Sequence, residues 1–276
     1  MITRTLRRRW LYPLLSLIVA VGICFGQPMV SQALSWGDLI RGGIQIIQGI
    51  QLSNLSDRQE QELGQQINSE LTSRQVRILR DSSLAAYVND IGQRLAANSD
   101  RPNIRYTFQV VDDNSINAFA TMGGYVYVNR GLIRAADNEA QLASVMSHEI
   151  GHITGRHAIR QMRSAAIQRG LLAGAGLDRS AAVNIGVELA LRRPNSRNDE
   201  YDADDRGLRT LTRAGYAQSE VVAFMQKLLG SRSVPTFLAT HPATSDRITR
   251  LRQRINASPS SGRAGLDVSS YRSRIN

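Results

Sequence analysis

A single cysteine, Cys24, serves a chain of 276 residues, and it lies in an apolar stretch near the N-terminus. A disulfide framework is therefore excluded. The stretch itself has the three-part layout of a secretory signal peptide, spanning Met1 to about Ala33. Arg4, Arg7, Arg8 and Arg9 give a positive start, Leu11 to Phe25 run apolar apart from Ser16, and Ser31-Gln32-Ala33 places small residues where a signal peptidase reads them. The expected mature start is Leu34. The alternative is a retained anchor, although ~15 apolar residues fall short of the ~20 that span a bilayer. Arg7-Arg8 resembles a twin-arginine signal only loosely. Ile23 stands where a lipoprotein signal needs a small residue ahead of Cys24.

Cleavage there leaves 243 residues and lowers the formal net charge from +11 to +7, because the leader carries four arginines and no acid. That length suffices for one good-sized core or two small ones. Positive charge on a secreted surface suits anionic envelope lipids, hence peripheral membrane contact, or acidic substrates. Nucleic acid is not expected, since no nucleic-acid module is present and aromatic residues make up only 5% of the chain. The composition divides the chain into a leader (1–33), an N-terminal helical segment (34–80), a body (81–256) and a Ser-, Arg- and Gly-rich tail (257–276) that reads as disordered.

Residues 34–52, with Ile44, Ile46, Ile47 and Ile50, are expected to pack on the body or against a membrane surface. Ser56 with Gln59 forms a capping box for a polar helix to about Thr72, and Leu84, Tyr87, Val88, Ile91 and Leu95 mark one face of a second helix. Arg105 to Val111 and Tyr125 to Val128 read as strands, the second entered through Gly123-Gly124. Asn138 with Gln141 caps a helix expected to run past His157. The apolar stretch Leu171 to Leu191 reads as a buried helical pair, and helices follow at about Asp199–Ala214, Ser219–Leu229 and Thr244–Ile255.

The chemistry begins at His148-Glu149-Ile150-Gly151-His152. Histidines four apart on a helix share a face, so both imidazoles can reach one tetrahedral metal. Glu149 is turned away from the metal yet borders its open position, where a carboxylate can take a proton from water. A catalytic zinc needs a third protein ligand, and no cysteine is left to supply it. Candidate carboxylates cluster in Asp199-Glu200-Tyr201-Asp202-Ala203-Asp204-Asp205. Glu200 and Asp204 are four apart, so one can ligate while the other accepts the outer N–H of a ligand histidine. The same acids also suit an ordinary solvated helix start. His157, five residues past His152, is off the ligand face and is expected to support the site or the fold. Arg197 and Arg206 flank the acidic helix, available to Asp204, to a substrate carboxylate or to surface ion pairs.

Four segments carry a family resemblance: Asn117-Ala118-Phe119-Ala120 with Gly123-Gly124-Tyr125-Val126, His148 to His152, Ser196 to Asp204, and His241-Pro242 ahead of Asp246-Arg247. In that order, over about Asp81 to Ile255, they resemble the CAAX-prenyl-protease and HtpX-like zinc metallopeptidases, the gluzincin peptidase family M48. The resemblance implies one Zn²⁺ per chain on His148, His152 and Glu200, with Asp204 behind a ligand histidine and Glu149 as the base. It also implies that Gly124, Tyr125 and Val126 belong to an edge strand that takes up extended substrate, against the plainer reading of a core strand. His241, ahead of a proline that favours an extended backbone, is placed on a loop, with Thr244 or Ser245 available to cap the next helix. It either closes the metal's fourth position as a latch, stabilises a transition-state oxyanion, or merely packs.

These readings give an α+β, mainly α, zincin-like fold, with helices enclosing a metal cleft beside a small β-sheet. The expected activity is zinc-dependent hydrolysis of peptide bonds in unfolded or damaged envelope proteins. An envelope chaperone or assembly factor with latent proteolysis is the alternative, and a purely structural zinc site leaves Glu149 without a task. No clean membrane span follows residue 33, and no helical-repeat domain is recognised, so the chain reads as a minimal soluble form located in the periplasm or cell envelope.

Overall fold

The computed structural model describes residues 51–52, 54–171, 177–192, 196–231, 234–242 and 245–276. The leader 1–33, the apolar segment up to residue 50 and the proposed cap Thr244 lie outside them. No helix among the described residues is long and apolar enough to cross a membrane.

Helix α1 (Asp57–Arg74) starts at the expected capping box, the Ser56 and Gln59 side chains each meeting the other's backbone N–H. Helix α2 (Ser82–Ala97) buries Leu84, Tyr87, Val88, Ile91 and Leu95, the stripe expected of it. Three strands follow, β1 (Thr107–Val111), β2 (Ala118–Thr121) and β3 (Tyr125–Asn129), in the order β1-β3-β2. β3 is parallel to β1 and antiparallel to β2. The turn from β2 into β3 requires Gly123 and Gly124, whose φ values of 77° and 94° are costly for any residue with a Cβ.

This sheet corrects the reading of Gly124, Tyr125 and Val126. Gly124 ends the turn, and Tyr125 and Val126 open β3, the central strand, whose two sides are already paired to β1 and β2, so no substrate strand can join it. Among the described residues no strand pairs with the outer side of β2, which four residues of mixed character did not announce as a strand.

Helix α3 (Arg130–Ala135) leads into α4 (Glu139–Thr154), where Asn138 accepts from the Gln141 N–H. Every residue from Ala140 to Thr154 is buried. The helix stops short of the expected passage through His157. Gly155 ends it, Arg156 takes a left-handed conformation (φ 54°), and α5 (His157–Gln168) starts afresh. Arg156 pairs with Asp57 and Glu60, contacts that offset the ~1–2 kcal/mol left-handed cost. Only one helix, α6 (Arg179–Arg192), occupies the described part of the stretch read as a buried pair, and it is half-buried, seating Ala182, Ile185 and Gly186.

Helix α7 (Arg197–Arg213) makes the most extensive helix contact in the described residues, along α4. It is followed by α8 (Ser219–Leu229), α9 (Thr236–Thr240) and α10 (Ser245–Ala257). The tail is also corrected. Residues beyond Ala257 form helix α11 (Val268–Ile275), with Tyr271 1% exposed and its hydroxyl donating to Ile133 O. Gly265 O accepts from the Ala140 N–H, satisfying a helix-start donor of α4. A few well-spaced anchors hold this segment, and average composition does not reveal them.

α4 and α7 meet backbone to backbone. A Cβ on Gly151 would sit 2.5 Å from Ala203 O, and one on Gly207 would sit 3.0 Å from the backbone of His148. Helix propensity alone favours Gly151→Ala by ~1 kcal/mol. We expect the opposite sign, a loss of about 1–3 kcal/mol from overpacking, read by urea unfolding of the metal-free protein. An unchanged or higher midpoint would contradict the close approach.

Candidate metal centre

That contact brings the two motif helices together. From α4 project His148, Glu149 and His152; from α7, one turn apart on its buried side, Glu200 and Asp204. His241, at the C-terminal end of α9 with an extended-side backbone (φ −123°, ψ 79°), closes the group and is 3% exposed. Among the described residues, His148, His152, Glu200 and His241 form a group able to hold a metal ion.

The donor atoms test whether an ion fits. His148 Nε2 lies 3.1 Å from His152 Nε2, 3.3 Å from Glu200 Oε2 and 3.4 Å from His241 Nδ1. Glu200 Oε1 lies 3.3 Å from His152 Nε2 and 3.1 Å from His241 Nδ1. Nitrogen and oxygen donors ~2.0–2.1 Å from one tetrahedral ion are about 3.3 Å apart, so the group has zinc's dimensions. Electrostatics agree. Burial works against charge on His148, yet Glu200 and Asp204 outweigh it and push its pKa up to about 9. A field that holds a proton on a buried imidazole also favours a cation there.

The surroundings of the two helix histidines differ. His148 Nδ1 lies 3.0 Å from Asp204 Oδ1, the arrangement expected of a carboxylate behind a ligand histidine. His152 Nδ1 instead meets His157 Nδ1 at 2.7 Å. Burial pushes His152 down to about 3 despite Glu200 beside it. Glu149 is 1% exposed, and burial raises its carboxyl pKa. Its Oε1 has no hydrogen-bond partner among the described residues, with His241 Nε2 3.5 Å away. Beside these groups opens an apolar cleft lined by Phe119, Met122, Met162 and Leu189, with Ala120 and Thr121 of β2 along one side.

Arg247 is the residue whose task sequence reasoning missed, although its motif, Asp246-Arg247, was in view. The residue is 2% exposed, and its guanidinium grips Asp204 at 2.7 and 2.6 Å, with Nη1 2.6 Å from Glu200 Oε2. Nη1 also donates to the carbonyls of His241 and Pro242, at 3.4 and 3.2 Å. Burial opposes ionisation of Glu200 and Asp204. The histidines hold Glu200 well below the usual carboxylate range, and Arg247 with His148 lowers Asp204. Arg206 takes the surface role left open for it, pairing with Asp202 and Asp100.

A model described as Peptidase family M48 matches residues 82–255. The chain is 34% identical over 221 residues to the beta-barrel assembly-enhancing protease of Escherichia coli K12, covering 74% of this chain and 45% of that one. It is 34% identical over 199 residues to the putative beta-barrel assembly-enhancing protease of Vibrio cholerae, covering 66% and 41%. With the mitochondrial metalloendopeptidase OMA1 of Arabidopsis thaliana it shares 33% over 164 residues, 57% and 33% of the two chains. The chain thus spans less than half the length of the two bacterial relatives.

Removing Arg247 leaves two buried carboxylates without their cation. Arg247→Met is expected to destabilise the metal-free protein by about 3–5 kcal/mol, measured by denaturant unfolding. A loss below about 1 kcal/mol would show that the network is not holding the helices.

Proposed function

The chain belongs to peptidase family M48, a family of zinc metallopeptidases, and from that premise we propose that it is an envelope endopeptidase acting on unfolded or damaged proteins. The observation that carries this reading is a donor group of zinc's dimensions with the buried Glu149 carboxylate beside it. His148, His152 and Glu200 hold the ion, and Asp204 orients His148 through Nδ1. Bound zinc supplies Lewis acidity to the scissile carbonyl and lowers the pKa of water. Glu149 takes the proton of the attacking water and returns it to the leaving amine. The free edge of β2, Ala118 to Thr121, holds substrate extended beside Glu149 and His152, and the apolar cleft receives its side chains. An extended backbone is what an unfolded chain offers and a folded one withholds.

The envelope location rests on the leader-like segment Met1 to Ala33 and on bacterial relatives named for β-barrel assembly. The net positive charge suits peripheral contact with anionic lipid there. A chaperone without proteolytic activity fits less well, because it has no use for a carboxylate buried at the position of Glu149.

His241 acts as a latch in this reading. With Nδ1 at the fourth corner of the donor group and Nε2 facing Glu149, one imidazole closes both the open coordination position and the base. Its carrier helix α9 is docked by the Phe237 N–H on Ile116 O, just ahead of β2, so the latch and the substrate-binding edge are neighbours.

Digestion of casein by the purified protein, with zinc measured alongside, tests the base. Glu149→Gln should keep about one zinc per chain and lose ~10²–10⁴-fold in rate. Joint loss of metal and fold would refute the assignment. His241→Ala, by contrast, should retain zinc and cleave casein, or itself, faster than wild type. Slower turnover with zinc retained would point to oxyanion stabilisation, and zinc loss matching that of His152→Ala would make His241 a permanent ligand.

A further inference from the structure

The structure assigns to His157 and Asp202 the task of positioning His152 for the metal, an inference that rests on the metal reading above. His152 Nδ1 and His157 Nδ1 are 2.7 Å apart, and His157 Nε2 is 2.9 Å from Asp202 Oδ2. Two ring nitrogens at that distance share one proton, since two lone pairs or two N–H groups would repel. Asp202 decides which nitrogen carries it. A carboxylate only accepts, so the proton of neutral His157 resides on Nε2. Its Nδ1 is then a bare lone pair that accepts from His152 Nδ1–H. The Nε2 of His152 is in turn left without a proton, facing His148 Nε2 at 3.1 Å and Glu200 Oε1 at 3.3 Å. The reverse arrangement is penalised twice, by a lone pair set against the Asp202 carboxylate and by an N–H inside the donor group.

Local structure builds this relay. Five residues along an unbroken helix would turn His157 about 140° away from His152. The left-handed step at Arg156 resets the direction and returns the ring to His152's outer nitrogen. Gly155 keeps the space clear, for a Cβ there would lie 2.2 Å from His157 Nε2 and 2.8 Å from Asp202 Oδ2. Asp202 is itself fixed by Arg206 Nε at 2.8 Å. Asp199 is 3.9 Å from the same His157 nitrogen, beyond hydrogen-bond range, and is engaged by Arg160. The two histidines of α4 are thus set by unlike partners, His148 by a buried carboxylate directly and His152 by an imidazole backed by a carboxylate.

Zinc affinity, measured by competition with a chromophoric chelator, tests the relay, with circular dichroism of the metal-free form reporting the fold. His157→Leu is expected to weaken zinc ~10–100-fold while the fold is kept. His157→Gln, whose amide carries both an acceptor and a donor, should recover most of that loss, which a merely space-filling role would not produce. Wild-type affinity in His157→Leu, or a glutamine variant no better than the leucine one, would overturn the inference. His152→Ala separates the two levels. If it binds zinc like wild type, the metal reading itself fails; if it loses zinc while His157→Leu does not, only the relay fails. Should His157→Leu not fold, Asp202→Ala at a 39% exposed side chain replaces it. A severalfold weakening of zinc supports the relay, and wild-type affinity overturns it.

Discussion

Two carboxylates buried on one helix need a counter-charge, and Arg247 supplies it. Glu200 is 1% exposed and Asp204 9%, on a helix pressed against α4 through Gly151 and Gly207. Taking such groups out of water costs several kcal/mol each, so their positions are tolerable only with partners on every side. The guanidinium and His148 converge on the same oxygens, Glu200 Oε2 and Asp204 Oδ1, and His152 meets Glu200 Oε1. Helix α10 is thereby tied to α7, and α7 to α4. The donor spacing that suits an ion follows from these ties.

The same guanidinium reaches the carbonyls of His241 and Pro242. One cation therefore fixes both the carboxylate side of the centre and the backbone of the residue proposed to close it. Movement of His241 leaves the bidentate grip on Asp204 in place, because that grip uses Nε and Nη2, whereas Nη1 is shared by Glu200 and the loop carbonyls. Rigid helices carry His148, Glu149, His152, Glu200 and Asp204. The proposed mobile part is the C-terminal end of a five-residue helix and the step after it, beyond Phe237, which is buried and donates to Ile116 O just ahead of β2. This division suits a site that must be preorganised for chemistry and still admit a polypeptide.

What the sequence made legible was whatever depends on local periodicity. The capping residues Ser56 and Asn138, the apolar stripe of α2 and the His148–His152 face all follow from a 3.6-residue repeat, and the structure carries each of them. The family's motif order located Glu200, Asp204 and His241, which spacing alone left open. Tertiary terms were hidden. Which strand is central depends on pairing partners tens of residues away, so the free edge was sought at Tyr125 and lies on β2. The bend at Arg156 depends on Asp57 and Glu60, distant in sequence, and without it His157 seemed turned away from the site. Arg247 looked like one arginine in a basic helix until the fold buried it. The tail order rests on scattered anchors such as Tyr271, the Gly265 carbonyl and the Ala264 N–H on Gly215 O, in a segment of largely polar composition.

The central claim is that one zinc sits between α4 and α7. Anomalous diffraction from crystals of the zinc-loaded protein, collected on both sides of the zinc absorption edge, tests it most directly. One strong peak per chain is expected within bonding distance of His148 Nε2, His152 Nε2 and a Glu200 oxygen, with Glu149 beside it but not ligating. A peak elsewhere, or stoichiometric zinc with no peak between these helices, would contradict it.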